Sequence, residues 1–380
     1  MTSKKVCGIT AEYNPFHNGH IYQIEKTREQ TQCDVLIAVM SGNFVQRGEP
    51  AIVGKFDRAE AAVRGGIDVV IELPYVCATQ SANNFASGAI TLLKLAGANM
   101  ISFGSECANL ENLLEIAETP INPDHLHQSM DTGMSFPRSY SLLTTEMRPN
   151  DILAVAYLKE IAGTDIEPVL IPRTTNYLDD ELHETASALA IRTALQHNRD
   201  ILDTTPMKET LLNTPQAFFE KYYPYLRTFL LTSAPETLSS YFLFSEGIEN
   251  HLVRQAAANS TYEGFLHDAV NWRYTASRIR RTALQGMMQL GKEEVKKLPP
   301  LDTLRILAFN DTGRAWLHDM RKSGVRIASR FAEVPYPWRK IEYRAALLYT
   351  SVFEEAYRER LLKEEIAGPR YVKQECIGLI

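Results

Sequence analysis

The sequence predicts an α/β fold, a parallel sheet flanked by helices, followed by a mainly α-helical C-terminal domain. Two observations carry that expectation. In the first half, short β-branched runs alternate with segments of helical period, as in a parallel sheet whose crossovers are helices. From about Ile201 such runs thin out, Pro206, Pro215, Pro224 and Pro235 punctuate the chain, and long amphipathic stretches take over. A chain of 380 residues exceeds the roughly 100–200 residues of one domain. The reading therefore places one domain at residues 1–197 and a second, helical one at 198–380.

Taken in order, strands are expected at residues 6–11, 35–40, 68–73, 100–103 and 168–171, each a short apolar or β-branched run. Between them, helices are expected near residues 20–30, 55–65, 82–95, 110–117 and 151–161, where apolar positions recur at helical spacing. In the second half, residues 269–290, 301–310, 312–322 and 342–363 read as helices, and 371–380 is too short to assign. The segments after the strands, 12–19, 41–48 and Gly104-Ser105-Glu106, are polar and contain glycine. In an open α/β sheet, ligands sit at these carboxyl ends.

Composition narrows the class. Apolar residues make up 45% and charged residues 23%, ordinary soluble usage, and no stretch approaches the roughly 18 unbroken apolar residues of a membrane span. Met1-Thr-Ser-Lys-Lys-Val6 lacks the apolar core of a signal peptide, so a cytoplasmic location is expected. Cys7, Cys33, Cys77, Cys107 and Cys376 are odd in number and never form CxxC, which argues against a disulfide framework or a structural zinc site. The net charge of −6 is uneven: residues 1–195 hold 14 Lys and Arg against 24 Asp and Glu, whereas 196–380 hold 26 against 22. A polyanion fits the second half better.

The densest chemical signal is Gly8-Ile-Thr-Ala-Glu-Tyr-Asn-Pro-Phe-His17-Asn-Gly19-His20. A strand ends near Ala11, a turn with Asn14-Pro15 follows, and a helix begins at about Gly19-His20. That helix N-terminus offers unpaired N–H groups and a partial positive charge to phosphate. Gly19 lets a phosphate approach the backbone, and His17 and His20, three apart on one side of the first turn, can both donate to phosphate oxygens as charge builds there. A lone histidine in such a place reads as a cap or a surface residue; two, after a strand and with glycine between them, favour phosphate chemistry. Further along, Ser187 can cap a helix from which Arg192 could reach back to a phosphate chain.

Together these elements resemble the nucleotidyltransferase superfamily, with its (H/T)xGH motif after the first strand, a late Ser-x-x-x-Arg-like motif and a Rossmann-like sheet. A closer resemblance, to the bacterial tRNA(Met) cytidine acetate ligase family, rests on Ala11-Glu-Tyr-Asn-Pro-Phe-His-Asn-Gly-His20, Val39-Met-Ser-Gly-Asn-Phe-Val-Gln-Arg-Gly-Glu-Pro-Ala51, Asp68-Val-Val-Ile-Glu-Leu-Pro74, Phe103-Gly-Ser-Glu106, Pro149-Asn150, Trp272-Arg-Tyr-Thr-Ala-Ser-Arg-Ile-Arg-Arg281 and Arg305-Ile-Leu-Ala-Phe-Asn310. Asp151 and Ala154 depart from the family pattern, standing where Asn and Gly are expected.

The resemblance implies an enzyme that activates acetate with ATP, Mg2+ assisting, and passes the acetyl group to the wobble cytidine of elongator tRNA(Met). It implies ATP contacts at Thr10, Ala11, Glu12, Tyr13, Asn14, Pro15, Phe16, His17, Asn18, Gly19, His20, Ile21 and Tyr22, and at Gly104, Asn150 and Arg173, with Ser187 and Arg192 in support. His17 and His20 are the catalytic pair. The loop residues Ser41, Gly42 and Asn43 are expected to hold the second substrate, and Arg47 and Lys55 to steady phosphate or RNA. For RNA, Arg273, Tyr274, Arg278 and Arg281 offer cations beside an aromatic ring able to stack on an unpaired base. Two other readings compete: a small-molecule adenylyltransferase acting on a phosphorylated cofactor precursor, and a noncatalytic RNA-binding protein with a decayed nucleotide fold. The first leaves the basic helical half without a purpose, and the retained His17 and His20 speak against the second.

Overall fold

The computed structural model describes residues 4–119, 147–173 and 186–373. Five strands run parallel: β1 (Val6–Ala11), β2 (Val35–Ser41), β3 (Val69–Leu73), β4 (Met100–Ser105) and β5 (Glu167–Pro172), in the order β5-β4-β1-β2-β3. Every residue of β2 is buried, as expected for a strand covered on both faces. Its alternate side chains divide between two layers. Val35, Ile37 and Val39 join a core with helices at Ala82–Leu95 and Pro149–Ile161, and Leu36, Ala38 and Met40 join one with α1 (Asn18–Thr31), α2 (Lys55–Arg64) and α3 (Ala188–Gln196). The strand order reverses direction between β1 and β4. The crevice outside the carboxyl ends of those two strands is where an open α/β sheet takes its ligand.

The sheet does not end with the first half. Residues 301–310, expected as a helix, instead form β6 (Thr303–Phe309), antiparallel to β3. β7 (Arg326–Ala328) and β8 (Arg370–Tyr371) both pair with β6. Residues 304–308 are buried throughout, and a run buried on every side carries no period to separate strand from helix. The open edge of β3 decides, with Asn310 stopping the strand as it accepts the Gly313 N–H at 2.9 Å and caps the following helix. Residue 198 therefore does not mark the edge of the sheet.

Two expected long helices differ in the structure. The helix expected at 269–290 begins only at Ala276 as α4 (Ala276–Met287), after the preceding helix Tyr262–Ala269 has ended. Between them the Asn271 side chain accepts the N–H groups of Arg273 and Tyr274, both at 2.8 Å, a local alternative to helix. Residues 342–363 become α5 (Tyr336–Thr350) and α6 (Glu355–Ile366). These helices share a third core with Phe219–Thr232 and Ile248–Ala258, into which Phe44, Tyr75 and Val76 project from the segments after β2 and β3. Cys7 is a free, buried thiol in β1, and Cys376 lies outside the described residues. Among the described residues, no helix is long and apolar enough to cross a membrane.

Candidate active site

The turn after β1 and the start of α1 form one hydrogen-bonded unit. His17 is the N-cap of α1: its Nδ1 accepts the Gly19 N–H at 3.1 Å, while His20 Nδ1 accepts the His17 N–H at 3.2 Å. Both Nδ1 atoms are therefore acceptors, so in the neutral rings the protons sit on Nε2. The ring centroids are 3.8 Å apart. A β-carbon on Gly19 would meet His17 Cε1 at 2.9 Å, which is why this cap needs glycine. Burial, then the positive charges of Arg173 and Arg192, pushes His17 down to about 3, and burial, then His17 and Arg173, holds His20 well below the usual histidine range. Near neutral pH the pair is two uncharged imidazoles with Nε2–H donors, held by the backbone they cap.

The preceding loop is pinned from several sides. Asn14 Oδ1 accepts the Ile52 N–H at 2.7 Å, and the peptide from Asn14 to Pro15 is cis. Phe16 O accepts from Thr205 Oγ1 at 2.6 Å, and Asn18 Nδ2 donates to Asp203 O at 2.8 Å. Tyr13 is buried, with its ring 4.7 Å from that of His20. The Glu12 carboxylate accepts the Gln46 N–H at 2.8 Å; burial raises its pKa, against a pull downward from Arg47. Thr10 and Ala11 end β1, and Ile21 and Tyr22 continue the first turn of α1.

Across the crevice, Gly104 in β4 faces Arg173, whose Cγ would lie 3.4 Å from a β-carbon there, and the Arg173 N–H donates to Ser105 O at 3.2 Å. Asn150 donates both its backbone N–H and its side-chain amide to Glu106. Asp151 Oδ1 accepts from Ser105 Oγ at 2.6 Å and from the N–H groups of Glu106 and Cys107 at 3.0 and 3.1 Å. These bonds fasten the start of the Pro149–Ile161 helix to the end of β4.

The second motif packs against the turn after β1. Ser187 does cap α3, accepting the Ala190 N–H at 3.0 Å; its neighbour Thr185 lies outside the described residues. Arg192 meets the loop: Nη1 donates to Asn14 O at 2.7 Å and Nη2 lies 3.2 Å from Glu49. Glu49 also pairs with Arg280 of α4 at 2.7 Å.

A family model described as HIGH Nucleotidyl Transferase matches residues 4–365. The chain is 34% identical to a tRNA(Met) cytidine acetate ligase of Geobacillus sp. (strain WCH70), over 96% of this chain and 99% of that protein. It is 32% identical to the Bacillus subtilis (strain 168) protein of the same name, over 98% of each. The crystal structure of Thermotoga maritima TmcAL bound with alpha-thio ATP superposes with a TM-score of 0.86 at 32% identity, covering 97% of this chain and all of that one; the apo form gives 0.89. The chain belongs to the tRNA(Met) cytidine acetate ligase family.

Of the residues marked by type and position for RNA or the second substrate, Lys55 and Tyr274 face elsewhere. Lys55 is buried, its ammonium 2.6 Å from Glu72 and 2.7 Å from Glu365, so the expected phosphate or RNA contact is corrected to a buried ion cluster. Tyr274 is also buried, its hydroxyl donating to Glu246 O at 2.8 Å, and it precedes α4 instead of lying on it, so it cannot stack on a base. Arg278 donates to Leu243 O and Ser245 Oγ, and Arg281 to the carbonyls of Gln80 at 2.9 Å and Gln46 at 3.4 Å. Arg273 is exposed, 3.9 Å from Glu246, and Arg47 lies half-buried near Glu12. Ser41 is buried at the end of β2, a β-carbon on Gly42 would meet Glu72 Oε1 at 2.5 Å, and Asn43 O accepts from Ala51 N at 2.9 Å.

Sequence reasoning missed Arg58. Its fully buried guanidinium donates to the carbonyls of Glu12, Ser41, Gly42 and Val53. In the cytidine acetate ligase fold it therefore ties together the loops after β1 and β2. Nothing in its spacing on an amphipathic helix separates it from a surface arginine.

Proposed function

We propose that the protein is an ATP-dependent acetate ligase that acetylates the wobble cytidine of elongator tRNA(Met) in the cytoplasm. In the first step an acetate oxygen bonds to the ATP α-phosphorus as the bond to the β-phosphate bridging oxygen breaks, giving acetyl-adenylate and pyrophosphate. In the second, the cytidine exocyclic amine attacks the acetyl carbon, loses a proton and displaces AMP, leaving 4-acetylcytidine. The observation that carries this reading is the reciprocal cap of His17 and His20. It fixes two neutral N–H donors at a helix N-terminus, where charge on the α-phosphate would develop. Donors already oriented need no reorganisation during the step, and no nucleophilic side chain is required.

Gly104, Asn150 and Arg173, at the far side of the crevice, are proposed to meet the nucleoside and phosphates, with Ser41, Gly42 and Asn43 near the second substrate. Mg2+ is proposed as the companion of the triphosphate, since it is commonly carried by phosphates and water. Likeness to the relatives through the helical half favours this reading over a small-molecule adenylyltransferase, which has no use for that half.

The test is mass spectrometry of tRNA nucleosides after incubation of the protein with ATP, acetate and unmodified tRNA(Met). The expected result is 4-acetylcytidine, with AMP and pyrophosphate released in step. Pyrophosphate release that ignores acetate and depends on a phosphorylated metabolite contradicts the proposal.

A further inference from the structure

Tyr274 is buried and Lys55 is held in an ion cluster, so neither meets the RNA, whereas the outer face of α5 has the required chemistry. Tyr336, Lys340, Tyr343 and Leu347 fall at helical spacings of four, three and four, so they form one stripe. Tyr336 is 65% exposed, Tyr343 38% and Leu347 37%, a continuous row where a helix on a covered surface would be buried. The opposite face, Trp338, Ile341, Glu342, Ala345 and Tyr349, is buried.

Charge selects the partner. Of the charged residues on α5, Arg339, Lys340 and Arg344 reach the surface, whereas Glu342 points inward and accepts the Tyr75 N–H at 2.7 Å. Arg339 lies over the Tyr336 ring at 5.7 Å, and Tyr343 is braced on Phe331 at 6.2 Å between ring centroids. The neighbouring Lys292–Lys296 helix adds exposed Lys296 and, just beyond it, Lys297. Its Glu294 is already matched by Arg344 at 2.9 Å and Lys340 at 3.5 Å. Exposed rings interleaved with cations suit a single-stranded or looped polyanion, the rings stacking on bases and the cations meeting phosphates. An interface between copies of this chain would be depleted of lysine.

On its buried face, the Tyr349 hydroxyl donates to Ala51 O at 2.8 Å, which seats α5 on the loop after β2.

We infer that the exposed Tyr336, Lys340, Tyr343 and Leu347 stripe of α5 is the docking surface for the RNA substrate, with bases stacked on the two tyrosines. The inference rests on the proposed RNA-modifying reaction. The test uses the full chain and an unmodified tRNA(Met) transcript, measuring affinity by fluorescence anisotropy over a salt series, with acetate-dependent pyrophosphate release without RNA as a second readout. Tyr336→Ala and Tyr343→Ala should each weaken binding by roughly 5- to 100-fold. Lys340→Glu with Lys297→Glu should weaken it and reduce the salt slope by about one to two. Tyr336→Phe should retain binding, Lys363→Glu on α6 should change nothing, and pyrophosphate release should persist in all of them. Unaltered RNA affinity in the tyrosine and lysine variants, with acetylation by the parent protein intact, overturns the surface and leaves the reaction standing. A parent protein that neither binds nor acetylates tRNA removes the reaction, and the surface with it. If Tyr336→Ala instead splits a dimer while RNA affinity holds, the stripe is a contact between copies and the inference is wrong.

Discussion

Arg58 Nη1 donates to the Glu12 carbonyl at 2.6 Å, so a helix two crossovers into the chain holds the turn after β1. Its other partners, the carbonyls of Ser41, Gly42 and Val53, bind the loop after β2 to the same guanidinium. Among the described residues no carboxylate pairs with it directly, and burial pulls its pKa down to about 10. Arg58→Met leaves several buried carbonyls unpaired, each costing about 1–3 kcal/mol. The expected loss on urea denaturation is roughly 3 kcal/mol or more, with a higher KM for ATP in the protein that remains folded. A loss too small to separate from a surface substitution contradicts this role.

Lys55 makes a different forecast. Its ammonium sits between Glu72 and Glu365, and Arg305 reaches the same two carboxylates at 2.6 and 2.8 Å. Lys55→Met breaks a buried ion network and should cost about 3–5 kcal/mol, yet leave tRNA affinity of the folded fraction unchanged. Anisotropy on purified, folded variant protein separates this outcome from a direct RNA contact, which would weaken binding at intact stability.

How much of this the sequence disclosed depended on whether a signal was local. The five parallel strands were legible because β-branched runs and polar, glycine-containing turns are short-range features, and the helix start at His17-Asn-Gly19-His20 was legible because cap and first turn lie within a few residues. β6 was not, because residues 304–308 are buried throughout and only the edge of β3 makes them a strand. Tyr274 and Lys55 were misread for a related reason. Their residue types suit a polyanion, but burial against Glu246 or between Glu72 and Glu365 is set by partners distant in sequence. Arg58 was overlooked because its partners, four main-chain carbonyls, leave no mark on side-chain pattern.

Gly48 tests the coupling between the loop after β2 and α4. Its φ is +76, and a β-carbon would meet Arg281 N at 2.5 Å and Arg280 C at 2.8 Å. Gly48→Ala therefore combines left-handed backbone strain with a clash against main chain, and should cost about 1–3 kcal/mol. Thermal unfolding measures the loss; an unchanged Tm contradicts the tight seat of the loop on α4.

The two histidines set a pH dependence of stability. His17 is pushed from 6.5 down to about 3, and His20 is shifted the same way. Above the unfolded value both states are neutral and the contribution is fully present. As pH falls below it, the unfolded chain takes up protons that the folded one refuses, so stability declines by about 1.4 kcal/mol per pH unit for each such group. The decline from His17 continues until its folded pKa is reached. Denaturation midpoints from about pH 7 to about pH 5 should fall less steeply in His17→Asn, where asparagine keeps the cap without titrating. Equal slopes in the two proteins contradict the assigned neutral state.

The same substitution addresses the central claim, that paired neutral imidazoles stabilise charge on the α-phosphate. His17→Asn retains an acceptor for the Gly19 N–H but loses the Nε2–H donor. The decisive measurement is the rate of acetate-dependent pyrophosphate release from ATP, parent against His17→Asn, with tRNA affinity recorded alongside. The predicted result is a fall of about 100-fold or more, the effect of removing one oriented donor, with tRNA affinity unchanged. Pyrophosphate release at the parent rate would contradict the account.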